Sequence, residues 1–141
     1  MSMSQETQIK FARLVDSYYQ QHENTLKLST PRIIHDGFVS KSTMSGSGGT
    51  VEILYGPAEY HAEIFVTTLK GKKCWNLADL MSVGTVRDWL VRYSQNADSQ
   101  SKVGLEADIE WIFLILTDGL RGVADFEWLY KVNSTSQPKH A

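Results

Sequence analysis

The order of hydrophobic periodicities predicts an α+β domain. One amphipathic helical segment comes first, period-two segments rich in β-branched and aromatic residues follow, and helical spacing then returns. Strands and helices segregated in this way favour a small antiparallel sheet with helices packed on one face. At 141 residues and 42% hydrophobic content, with four Trp, six Tyr and five Phe, the chain can build a core without a disulfide or a structural metal. The expected layout is a single domain over 1–132 and a polar, fraying tail over 133–141.

Phe11, Leu14, Val15, Tyr18 and Tyr19 recur at helical spacing, predicting a first helix from an N-cap at Ser4 to about Glu23. Asn24 to Pro31 reads as a connection, because Pro31 blocks further helix. Ile33 to Ser40, Thr50 to Tyr55 and Tyr60 to Leu69 then read as a three-stranded meander, with a short fourth strand at Cys74 and Trp75. Ser45-Gly46-Ser47-Gly48-Gly49 and Gly56-Pro57 supply the two hairpin turns, and Lys70-Gly71-Lys72-Lys73 ends the third strand. Beyond the strands, Asn76 can cap a short turn over Leu77 to Met81, and Thr85 a helix whose apolar stripe is Val86, Trp89, Leu90 and Tyr93. Leu105, Ile109, Ile112 and Leu116 mark a further helix. The unbroken run Trp111 to Leu116 also suits a buried strand, but the helix formers in Leu105 to Glu110 favour helix. Gly119 and Gly122 precede a last amphipathic segment, Val123 to Val132.

Charge and cysteine usage narrow the function classes. Fourteen Lys and Arg stand against 16 Asp and Glu, a net charge of −2, which does not supply the concentrated basic surface of a direct nucleic-acid binder. Cys74 is the sole cysteine, so no disulfide can form within the chain and a reducing compartment is the simpler setting. The first residues lack the basic n-region of a signal peptide, and the apolar run Trp111 to Leu116 is too short to span a bilayer. The expectation is a cytoplasmic protein without a membrane partner.

Several residue groups invite a chemical reading. Ser45 to Gly49 is glycine-rich, but a phosphate loop needs a following Lys-Ser or Lys-Thr and a helix, whereas Thr50-Val51-Glu52 opens a strand. Glu59, His61 and Glu63 alternate along the third strand and share a face, with His35 and Asp36 possible neighbours, so they suit metal ligation or acid/base work. The same alternation, with Tyr60, Ala62, Ile64 and Val66 as its apolar complement, is also what the solvent side of a one-sided sheet carries. Cys74 with His61 and Asn76 has the residue types of a cysteine nucleophile, but no family signature surrounds it and a half-buried inert thiol is the plainer reading. No Gly-x-Ser-x-Gly elbow occurs. Neither a metal site nor a cofactor is expected.

Charge distribution is more informative than any motif. Val103 to Tyr130 holds six acids, Glu106, Asp108, Glu110, Asp118, Asp125 and Glu127, against Arg121, a local net of −5, while the preceding 102 residues carry +1. Trp111 and Trp128 stand beside Glu110 and Glu127, an arrangement that suits an aromatic anchor with a charged rim as well as the edge of an amphipathic helix. Glu106, Asp108, Glu110 and Trp111, then Glu127 and Trp128, are therefore the candidate partner-binding residues.

The paired tyrosines of the first helix, the segments Val51-Glu52-Ile53-Leu54-Tyr55-Gly56 and Glu59-Tyr60-His61-Ala62-Glu63-Ile64, the Asp79-Leu80 turn and the acidic, Trp-bearing C-terminal helix together resemble bacterial toxin-immunity proteins, including those of contact-dependent and other polymorphic toxins. The likeness is one of organisation over most of the chain, and no residue role is carried across. It implies a non-enzymatic cytosolic protein that binds a cognate toxin domain and occludes its active site or another essential surface. A nuclease with a basic groove would complement an acidic inhibitor. The alternatives are a small enzyme or ligand-binding domain using Glu59, His61 and Glu63, and an oligomerisation module suggested by the surplus of aromatics.

Overall fold

The computed structural model describes residues 5–36, 39–46, 48–56, 62–68, 74–94 and 104–119. Helix α1, Gln5–Leu26, turns Phe11, Val15, Tyr18, Tyr19 and Leu26 into the core at the three- and four-residue spacing of one helical face. It continues past the expected end at Glu23 because Leu26 is still fully buried. A backbone turn stops it. Lys27 takes φ 55°, the left-handed conformation usually left to glycine after a helix, and its N–H donates to the Glu23 carbonyl at 3.0 Å. The Tyr19 hydroxyl then donates to the Leu28 carbonyl at 2.7 Å, fixing the chain as it leaves for the sheet. The proposed cap, Ser4, lies outside the described residues.

Among the described residues five antiparallel strands follow and pair in sequence order: β1 Arg32–His35, β2 Ser40–Ser45, β3 Gly49–Tyr55, β4 Glu63–Thr68 and β5 Cys74–Asn76. The sheet thus has one or two strands more than the three to four expected. The discrepancy lies in Ile33 to Ser40, which is a hairpin and not one strand. The Asp36 N–H donates to the Val39 carbonyl at 3.1 Å, and Asp36 Oδ1 accepts from the Val39 N–H at 2.8 Å, so His35 comes to face Ser40. The polar sequence Ser-Lys-Ser-Thr-Met-Ser then forms β2, burying Ser40, Ser42 and Met44 on one side. The Gly-Ser loop closes the next hairpin, with the Gly46 N–H donating to the Gly49 carbonyl at 2.9 Å.

One face of this sheet is dry. Met44, Val51, Val66 and Trp75 form one cross-strand row and Ser42, Ile53 and Ile64 the next, all buried. The opposite face carries Lys41, Thr43, Glu52, Leu54, Glu63, Phe65 and Cys74, each half-buried or exposed. Ile64 and Val66 point inward and Glu63 outward, as the alternation of that segment requires. Among the described residues two side-chain polar atoms are buried without a hydrogen-bond partner, Ser42 Oγ and Trp75 Nε1.

Helices close the dry face. Asn76 caps α2, Leu77–Met81, through a capping box: its Oδ1 accepts from the Asp79 N–H at 2.9 Å and Asp79 Oδ2 accepts from the Asn76 N–H at 3.2 Å. Helix α3, Gly84–Ser94, buries Val86 and Trp89. Helix α4, Gly104–Leu114, opens on Gly104 at φ 69°, a conformation that would strain any residue with a Cβ. Leu105, Ile109, Ile112 and Phe113 are buried, which settles the Trp111 to Leu116 run as helical. The helix widens into a π-helical turn at Ile115–Gly119, where Thr117 Oγ1 satisfies itself on the Phe113 carbonyl at 2.9 Å. Buried residues of all these elements form one core. The segment Val123 to Val132 and the tail lie outside the described residues.

Candidate functional site

Glu106 and Glu110, one helical turn apart on α4, are half-buried and converge on Tyr18 of α1. The Tyr18 hydroxyl donates to Glu106 Oε2 at 3.2 Å, and its ring stacks on Phe113 one turn further along α4, with centroids 6.2 Å apart. His22, the next residue on that face of α1, stacks on the same Phe113 ring at 6.1 Å. Burial, then the charges of Glu110 and Glu106 and the bond to Glu106, push the Tyr18 phenol up to about 12. Glu106 is therefore held at the α1–α4 seam by a hydrogen bond, and Glu110 lies near enough to the same phenol to act on its charge.

Asp108 serves a different purpose. Its Oδ2 accepts from the N–H of buried Ala62 at 3.0 Å, joining α4 to the residue that precedes β4. Trp111 is half-buried against Trp89 of α3, with ring centroids 5.5 Å apart and a 43° tilt. Gly119 lies under the same Trp89 ring, where an added Cβ would sit 3.4 Å from Cε3. Of the candidate partner-binding residues, Glu106, Asp108, Glu110 and Trp111 are thus gathered on α4, while Glu127 and Trp128 lie outside the described residues. Tyr18 is the member of this cluster that sequence reasoning left in the core: its helical phase signals burial, and nothing local signals a phenol–carboxylate bond 88 positions away.

The residues considered for chemistry are less concentrated. Glu63 is exposed on β4, and Glu59 and His61 lie outside the described residues. No group of three or more His, Cys, Asp or Glu residues that could hold a metal occurs among the described residues. Cys74, expected to be half-buried, is exposed because its position in β5 points to the open face of the sheet while neighbouring Trp75 takes the core side. His35 Nδ1 and Ser40 Oγ lie 2.6 Å apart, the contact of a base with a hydroxyl nucleophile. Ser40 is completely buried, so no reactant reaches that oxygen, and the pair acts as the cross-strand contact closing the β1–β2 hairpin.

No protein-family model matches this chain, and no curated protein or solved structure matches it. Among the described residues no helix is long and apolar enough to cross a membrane.

Proposed function

We propose that this chain is an immunity-type protein that binds a cognate toxin domain through the acidic face of α4 and occludes its active site or another essential surface. The observation that carries the reading is the convergence of half-buried Glu106 and Glu110 on the side of α4 that meets Tyr18 of α1. Carboxylates whose positions are already restricted lose less side-chain freedom on binding than free surface charges do. Their charge favours a partner with a basic surface, such as the groove of a nuclease, and acts mainly on encounter and orientation. Occlusion needs only complementarity, so it makes no demand for a catalytic constellation.

The test is to co-express this chain with the variable C-terminal domain of a secreted protein encoded beside its gene. A stoichiometric complex, together with loss of that domain's toxicity and activity, supports the proposal. Purified components that neither associate nor inhibit at micromolar concentration would sink it.

A further inference from the structure

We infer that the open face of the sheet is a surface for a second copy of this chain, used in a two-fold symmetric, face-to-face pairing. One cross-strand row sets the pairing. Register aligns Ile34 of β1, Lys41 of β2, Leu54 of β3 and Glu63 of β4 on the face away from the helices. Ile34 is 47% exposed, Glu63 is exposed, and Lys41 and Leu54 are half-buried. An apolar residue on the central strand is therefore flanked by a cation on one neighbouring strand and an anion on the other.

That order selects one symmetry. A two-fold axis parallel to the strands and passing over β3 sets Leu54 against its own copy, Lys41 against the partner's Glu63, and Glu63 against the partner's Lys41. An axis perpendicular to the strands would instead lay each strand over itself and forfeit both ion pairs. In the adjoining row, Thr43 meets Phe65 and Glu52 meets its own copy. The Glu52 repulsion is moderated by Lys41, whose Nζ lies 3.8 Å from Glu52 Oε2 within the same chain. Strand spacing of about 4.8 Å and a rise of about 3.3 Å per residue give this face about 400 Å² in plan. Two such faces reach only about 800 to 1,000 Å² together, the lower limit of a specific interface, so the pairing is weak, reversible and micromolar. The described helices lie on the other side, so this pairing leaves α4 uncovered and the inference stands independently of toxin binding.

Sedimentation velocity on the full chain across a concentration series should show a monomer–dimer equilibrium that weakens with salt. Lys41→Glu and Glu63→Lys, both at solvent-accessible positions, should each weaken the dimer about tenfold, because symmetry makes every substitution act twice. An equimolar mixture of the two variants should recover a heterodimer at least as tight as the wild type, and Glu52→Gln should tighten self-association. A chain that remains monomeric up to about 0.5 mM, roughly five hundredfold above a dissociation constant of about 1 μM, overturns the inference. So does a dimer indifferent to both charge changes, which would use another surface, or a mixture of variants that fails to associate.

Discussion

Asp108→Ala should destabilise the protein without abolishing its fold, and the contact with Ala62 sets the least size of the effect. Asp108 Oδ2 accepts from the Ala62 N–H at 3.0 Å, and Ala62 is only 5% exposed. Truncation removes a charge-assisted bond and leaves a buried donor without its acceptor, together worth about 2 kcal/mol. For a domain of this size that corresponds to about 6 °C in Tm. Urea denaturation followed by Trp fluorescence measures the loss, and hydrogen exchange at the Ala62 amide should accelerate in step with it. Asp108→Asn retains an acceptor oxygen of similar reach and should lose only about 1 kcal/mol. If Asp108→Ala matches wild-type stability within about 0.5 kcal/mol, the contact contributes nothing beyond an ordinary surface position and the reasoning fails. The experiment also sorts the acidic residues: a folded Asp108→Ala protein that binds its partner normally assigns Asp108 to the architecture and leaves Glu106 and Glu110 to the surface.

Three other outcomes are expected. Tyr18 has its pKa raised from 10.0 to about 12, so its contribution to stability is fully present below pH 10 and is lost as pH rises through about 12. Urea titrations of wild type and Tyr18→Phe should differ by a constant amount below pH 10 and draw together above it; a constant gap throughout would contradict the assignment. Ser42→Ala should stabilise the fold by about 1 kcal/mol, because Ser42 Oγ is buried without a partner and its removal relieves desolvation; a clear loss of stability in denaturant melts would show that the hydroxyl is satisfied after all. Asn76→Ala should cost about 1 kcal/mol by opening the capping box at α2, while Asn76→Asp should be nearly neutral by the same thermal assay.

The readable parts of this fold are those where periodicity and turn chemistry coincide. Asn76 was identifiable as a cap from its position before Leu77, and Ile64 and Val66 were identifiable as core from strict alternation. The first hairpin was less legible because Ile33 to Ser40 looks like one strand unless the Asp36-Gly37 dipeptide outweighs the flanking β-formers. β2 was hidden for a related reason: its buried positions Ser40 and Ser42 are polar, so a hydrophobicity pattern ends the strand at Ser40 where β2 in fact begins. The end of α1 escaped because a lysine, not a glycine, takes the left-handed turn at position 27. At the candidate site, charge counting located α4 but gave no separate roles. Asp108 and Glu106 differ only through long-range partners, Ala62 and Tyr18, which no local pattern encodes.

The central claim is that the Glu106 and Glu110 face of α4 steers a basic partner, and the association rate with the toxin domain over a series of salt concentrations tests it most directly. Wild type should associate fastest at low salt and slow as salt screens the encounter. Glu106→Lys combined with Glu110→Lys should associate at least about tenfold more slowly at low salt, with little salt dependence. The paired Gln variant, which keeps an acceptor for Tyr18, should fall between them. Equal rates for all three proteins at low salt, with folding confirmed, would contradict the account and place the partner elsewhere on the molecule.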